Sequence, residues 1–223
     1  MCRFLIGSKI EKYKSFAIKA FGRKGLKAST IKQQKMNYKI ILASNSPRRK
    51  ELLKGLDIYF EVRIIPDIDE SYPSGTPPED IPLFIARKKA EAYKDSMKDN
   101  ELVITADTVV ILDGDILEKP ADKNDAIQMI KRLSGRKHQV ITAVVLTTVE
   151  KNKEFSVMST VDFSELTDDE IEYYVEKYKP FDKAGAYGIQ EWIGYIGVKG
   201  IEGSFYNVMG LPIQRLYQEL KRF

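Results

Sequence analysis

Lys39-Ile40-Ile41-Leu42-Ala43-Ser44-Asn45-Ser46-Pro47-Arg48-Arg49-Lys50-Glu51-Leu52-Leu53 is the stretch that decides the fold. Its first five residues are a short apolar run bounded by Ser and Asn, the pattern of a buried strand. Pro47 then stands where a helix begins, behind a Ser that can cap it, and Leu52, Leu53 and Leu56 supply an apolar face. A strand that feeds a helix through Ser44-Asn45-Ser46 opens an α/β domain. The first turn of that helix carries Arg48, Arg49 and Lys50. Each cation beside the positive end of a helix dipole costs about 0.3–1 kcal/mol. The same end presents unpaired backbone N–H groups. An anion such as a phosphate, with Ser44 and Ser46 as small donors on the approach, accounts for both features. A solvated basic helix start, paired with Glu51 or other acids, is the alternative.

Working outward, residues 59–65 read as a second strand and residues 67–78 as an acidic, Pro-rich loop. Thr76 and Glu79 frame a helix start, and Ile81, Phe84, Ile85, Ala86 and Ala90 keep helical spacing to about Met97. Residues 102–106 form a buried strand with Asp107 at its carboxyl end. Residues 109–112 and 116–117 flank Asp113-Gly114, a type I′ hairpin signal. Asp122 opens another helix, stopped by Ser134-Gly135. Residues 139–149 and 155–163 make a long antiparallel pair turned at Lys151-Asn152-Lys153. Thr167-Asp168-Asp169-Glu170 is a capping box for a helix that ends before Pro180. A stretch from Gly185 to Gly210 holds seven glycines, and a last helix runs from about Pro212 to Lys221. Helices interleaved with strands predict an α/β fold with a mixed sheet.

Composition excludes several classes of function. The chain has 223 residues, 43% hydrophobic and 30% charged, enough for one large domain or two small lobes. No apolar run approaches the roughly 18 residues of a membrane span. The single cysteine, Cys2, excludes an intrachain disulfide and a cysteine-based zinc site, so a reducing, cytoplasmic setting is expected. The single histidine, His138, excludes His-based metal sites and Ser-His or Cys-His nucleophiles, and a structural role is expected for it. Trp192 and its aromatic neighbours are expected to pack. There is no P-loop and no dinucleotide fingerprint.

The net charge of +4 conceals an asymmetry. Residues 1–35 carry ten Lys and Arg against Glu11, a local +9, which leaves 26 basic and 31 acidic residues, −5, in the remainder. Residues 1–35 are therefore expected to be a basic extension outside the fold, and residues 36–223 the folded domain. Nucleic-acid binding through this arm is the weaker reading and no such partner is expected.

The candidate chemistry is carboxylates facing cations. Asp107, beyond a core strand and followed by Thr108, suits a metal ligand or a general base, since ligands of open α/β sheets bind past the carboxyl ends of strands. A turn-capping Asp is the alternative. Asp69-Glu70 in the acidic loop could add a second carboxylate to a magnesium site, or be solvated loop acids. Lys89 and Lys119 are further candidates for phosphate, though a surface lysine is usually only solvated.

Read together, these segments resemble the Maf family of nucleoside triphosphate pyrophosphatases. The resemblance is carried by Leu42 through Leu53, with its Ser-x-Ser-Pro-Arg-Arg core, then by Ala86-Arg87-Lys88-Lys89-Ala90, Ala106-Asp107-Thr108-Val109-Val110 and Glu118-Lys119-Pro120. It continues in Leu133-Ser134-Gly135-Arg136, in the block from Asp182 through Gln190, and in Met209-Gly210-Leu211-Pro212. It implies an ITPase-like two-lobed α/β fold, with an elongated mixed sheet flanked by helices and a central cleft. It also implies hydrolysis of a nucleoside triphosphate to monophosphate and pyrophosphate with a divalent cation, Mg²⁺ or Mn²⁺, and a possible homodimer.

By position, Asp107 resembles the family's catalytic acceptor, and Arg48, Arg49, Lys89 and Lys119 its phosphate clamp, with Ser44 nearby. Glu70 resembles a metal-linked acid beside Asp107. Arg48, Thr108 and Gln190 match the subgroup acting on dTTP and UTP rather than the one acting on 7-methyl-GTP, and an amide at Gln190 could read a pyrimidine edge. A nucleotide-binding regulator of cell division with incidental turnover is the alternative of a different class. The family often has Gly after this Gln, whereas Glu191-Trp192 follows here.

Overall fold

The computed structural model describes residues 38–223. The basic extension expected over residues 1–35 lies outside the described residues.

Strand β1 (Lys39–Leu42) buries Ile40, Ile41 and Leu42, because it lies in the sheet interior between two parallel neighbours. Helix α1 (Pro47–Lys54) follows at once. Ser46 is its N-cap and accepts from the Arg49 backbone N–H, with Pro47 at the first position, as the sequence predicts. Strand β2 (Phe60–Val62) returns parallel to β1 and is shorter than expected. Helix α2 (Ile81–Glu91) starts later than the Thr76/Glu79 signal suggests. Pro77 and Pro78 disfavour helical backbone ahead of them, and the Thr76 hydroxyl donates to the Pro73 carbonyl in a turn instead.

The main departure from expectation is β3 (Glu101–Leu112), one continuous strand where the sequence suggests two. Asp107 therefore sits within a strand rather than at its end. The strand is continuous because β5 (Lys137–Thr147) pairs with it along one edge, through the registers Asp107↔Ala143 and Thr108↔Thr142. The other edge is divided. β1 pairs with its start at residues 101–104, and β4 (Asp115–Leu117) with its end at residues 110–112, across the expected Asp113-Gly114 turn. Asp113 and Gly114 both take positive φ, 53° and 87°. Residues 105–109 have no strand partner on that edge among the described residues.

Helix α3 (Lys123–Leu133) is capped by Asp122, and α4 (Asp168–Tyr178) by the predicted box of Thr167 and Glu170. Strand β6 (Asn152–Phe163) pairs antiparallel with β5, but the reversal comes over residues 148–151, earlier than expected. The Thr148 hydroxyl accepts from the Glu150 and Lys151 backbone N–H groups and closes the turn there. After α5 (Trp192–Gly197), strand β7 (Val198–Glu202) completes a mixed seven-stranded sheet of order β2-β1-β3-β5-β6-β7, with β4 beside β3. Short α6 (Phe205–Val208) and α7 (Ile213–Arg222) end the chain. Among the described residues no helix is long and apolar enough to cross a membrane.

Side-chain alternation along β3 sorts the packing into layers. Val110 and Leu112 face the cluster built with Ile130 of α3 and Tyr174 of α4, while Val109 and Ile111 face Ile81 and Ile85 of α2. Asp107 shares the α2 face and Thr108 the opposite one. His138 is buried, with Nε2 2.7 Å from the Tyr187 hydroxyl and its ring edge-on to Phe163 and Tyr187.

Burial lowers the His138 pKa from 6.5 to about 4. The unfolded chain therefore takes the proton first. The stability contributed by the neutral ring is complete above about pH 6.5 and is lost as pH falls toward 4. Urea titrations at pH 7.5 and pH 5 should show the wild-type protein losing about 2 kcal/mol more between them than His138→Gln.

Candidate active site

The open edge of β3 is one wall of a cleft of about 960 Å³. Every residue to which the family resemblance gives a role lines it, whereas Asp69, the other acid of the loop pair, does not. Ser44, Arg48 and Arg49 come from the turn and helix after β1, and Glu70 and Lys89 from the acidic loop and α2. Asp107 and Thr108 come from β3, Lys119 from beyond β4, and Gln190 from the glycine-rich stretch.

Arg49 occupies the divided edge itself. Its Nη1 donates to the Ala106 carbonyl at 2.7 Å and more weakly to Ser44 Oγ at 3.5 Å. Nε donates to the Gly210 carbonyl at 2.8 Å and Nη2 to Thr108 Oγ1 at 3.0 Å. Burial lowers the pKa of this guanidinium, against the opposing pull of Asp107. Of its five N–H groups, one on Nη2 is left over from these contacts. Gly210 has φ +110°, a conformation that suits glycine and turns its carbonyl toward Arg49.

Thr108 is equally committed. Thr142 spends its one hydroxyl hydrogen on the Asn207 carbonyl, so in the 2.9 Å contact between the two threonines Thr108 must donate. Thr108 thus donates to Thr142 and accepts from Arg49. What it can offer a ligand directly is its remaining lone pair.

On the α2 face, Lys89 Nζ lies 2.8 Å from Asp107 Oδ1 and 3.0 Å from Glu70 Oε1. Asp107 Oδ2 has no protein donor among the described residues. One loop position earlier, Lys88 Nζ holds Asp69 at 2.6 Å, so neighbouring lysines of α2 pin neighbouring acids of the loop. The two carboxylates around Lys89 converge on one position that takes a cation. No cluster of three or more His, Cys, Asp and Glu fit for a metal exists among the described residues. A divalent ion held by Asp107 and Glu70 would therefore take its other oxygens from water and phosphate, as hard cations in phosphate sites do.

On the far wall, Gln190 Oε1 is buried without a hydrogen-bond partner. A buried acceptor left open beside a cleft is free to take a donor from water or a ligand. Lys119 forms no ion pair among the described residues.

Sequence reasoning missed the partners of these residues. Arg48 pairs with Asp182 at 2.8 Å, and Lys183 lies between Asp182 at 2.7 Å and Glu191 at 3.2 Å. Burial would raise the Asp182 pKa, but hydrogen bonds from Lys183 and Arg48 outweigh it and hold the group below its ordinary value. In the sequence Asp182 and Lys183 enter only within a block of the family resemblance, without a role, and no spacing rule connects them to Arg48, 134 positions away. Trp192 packs edge-on against Tyr173, as expected.

The chain is similar to known proteins over nearly all of its described residues. The Maf-like protein family model matches residues 39–223, beginning at the first residue of β1. A protein of Parabacteroides distasonis named dTTP/UTP pyrophosphatase is 63% identical over 186 residues, which covers 83% of this chain and 96% of the relative. One of Phocaeicola vulgatus with the same name is 61% identical over 185 residues, with the same coverage of both. A solved structure of the Staphylococcus aureus Ham1 protein aligns with a TM-score of 0.45 at 20% identity, over 81% of this chain and 99% of that one. The strand-turn-helix with its two arginines, the carboxylate on β3 and the amide on the far wall all lie within the matched span, and the chain belongs to the Maf family.

Proposed function

We propose that the chain hydrolyses dTTP and UTP, and modified pyrimidine triphosphates, to the monophosphate and pyrophosphate. The observation that carries this reading is the open edge of β3, where Asp107 faces a wall of cations across one cleft. Water held at Asp107 Oδ2 gives up its proton there as it attacks the α-phosphorus, and the bond to the bridging oxygen of the β-phosphate breaks, so that pyrophosphate leaves. Arg48, Lys119 and the remaining N–H of Arg49 neutralise charge on the phosphate oxygens, with Ser44 as a small donor. Lys89 holds Asp107 aimed.

A divalent cation, Mg²⁺ or Mn²⁺, would be held by Asp107 and Glu70 and would supply Lewis-acid stabilisation of phosphate charge. Gln190 fits the base: its open acceptor suits the N3–H of thymine or uracil, and its amide N–H a ring carbonyl. Thr108 acts on selectivity through Arg49, whose position it sets. A nucleotide substrate implies a cytoplasmic location, and residues 36–223 carry the activity.

Asp107→Asn should cut pyrophosphate release from dTTP by about 10³-fold, in the range of a lost general base, with the thermal midpoint preserved. An unchanged trace activity in this variant would favour a nucleotide-binding regulator. Gln190→Ala should raise KM for dTTP about tenfold and erase the preference over purine triphosphates in a substrate panel that includes 7-methyl-GTP. Deleting residues 1–35 should leave turnover unchanged, because every residue in the proposed chemistry lies downstream.

A further inference from the structure

Two cations of the cleft converge on one carboxylate. Arg48 Nη1 is 2.8 Å from Asp182 Oδ2, and Lys183 Nζ is 2.7 Å from Asp182 Oδ1. All three residues line the cleft. They differ in freedom. The Asp182 side chain is 54% exposed, whereas that of Lys183 is 9% exposed.

Lys183 is also held from behind. Glu191 Oε1 lies 3.2 Å from its ammonium, and Glu191 Oε2 accepts the hydroxyl hydrogen of Tyr174. Tyr174 Oη accepts in turn from the Gly188 backbone N–H at 3.0 Å. A Cβ at Gly188 would stand 2.7 Å from Glu191 Cδ, so the carboxyl group is packed directly against that backbone. Glu191 and Tyr174 are therefore fixed, Lys183 is fixed by them, and Asp182 is the member that can move.

We propose that Asp182 is a built-in placeholder. Its carboxylate fills a phosphate subsite formed by Arg48 and Lys183 and is displaced when a phosphate group of the substrate enters, while Glu191 is the positioning residue that keeps Lys183 in place. This rests on the triphosphate reading of the cleft. Asp182 neutralises the resting pair, while Glu191 holds Lys183 in place whether or not Asp182 is there. A phosphate group offers more charge and more acceptor oxygens than a carboxylate, and so displaces it. The displacement opposes binding, because two ion pairs must break before the new ones form.

Inorganic pyrophosphate binding by calorimetry, alongside dTTP kinetics, tests this. Asp182→Ala, and Asp182→Asn as the variant that keeps its shape, should each lower the pyrophosphate Kd about three- to tenfold and lower KM for dTTP. Glu191→Ala should weaken pyrophosphate binding in the otherwise native chain and have no further effect in a Lys183→Met background, a coupling that a general loss of structure would not produce. Weakened or unchanged pyrophosphate binding in both Asp182 variants overturns the placeholder. Additive losses for Glu191→Ala and Lys183→Met overturn the positioning role. Failure of the wild-type protein to hydrolyse any triphosphate overturns the underlying reading. Normal hydrolysis with no gain at Asp182 overturns this inference alone.

Discussion

The insertion of Arg49 into the open edge of β3 is the interaction on which the active-site geometry depends. A strand edge in the middle of a sheet leaves backbone groups that need partners, and here a guanidinium supplies donors where a neighbouring strand would otherwise run. The same group reaches the Thr108 hydroxyl and the Gly210 carbonyl, so it ties α1, β3 and the loop before α7 to one point. The second arginine of the opening motif is thus a brace as much as a grip. Lysine could not replace it, because only a planar fork presents donors in these separate directions at once.

Charge pairing is the second constraint. Arg48, Lys89 and Lys183 each sit against a carboxylate, and together with Lys119 they surround the cleft. Burying like charges without partners would be costly, so the chain sets acids against them. The arrangement explains why an acidic loop faces the basic last turn of α2. The acids keep the cations organised between turnovers.

Much of this was legible in the order of residues, and the failures are informative. Pro47 behind a capping Ser, Asp113-Gly114, and Thr167 with Glu170 are local signals, and each sits where its own chemistry puts it. Resemblance to the Maf family brought Ser44, Arg48, Arg49, Glu70, Lys89, Asp107, Thr108, Lys119 and Gln190 together as candidates, and the fold gathers them along one cleft. The continuity of β3 through Asp107 could not be read, because it depends on β5 pairing across the polar dipeptide. The salt bridge of Arg48 with Asp182, and the stack of Tyr174 behind Glu191 behind Lys183, join distant segments through packing and leave no mark on spacing. For Thr108, the hydroxyl hydrogen goes to Thr142 and one lone pair to Arg49, contacts that only the three-dimensional neighbours reveal.

The divided edge of β3 also acts as a ruler. A long strand borders two short ones that never meet, and the interval left between them, residues 105–109, spans about 17 Å at the ordinary rise of a strand. That length is set by where β1 ends and where the Asp113-Gly114 turn sends β4 back. The width of the window is therefore encoded in the lengths of two strands and one tight turn, none of which carries a reactive group. A longer β4 would narrow the window, so the size of the opening can change through turn placement alone.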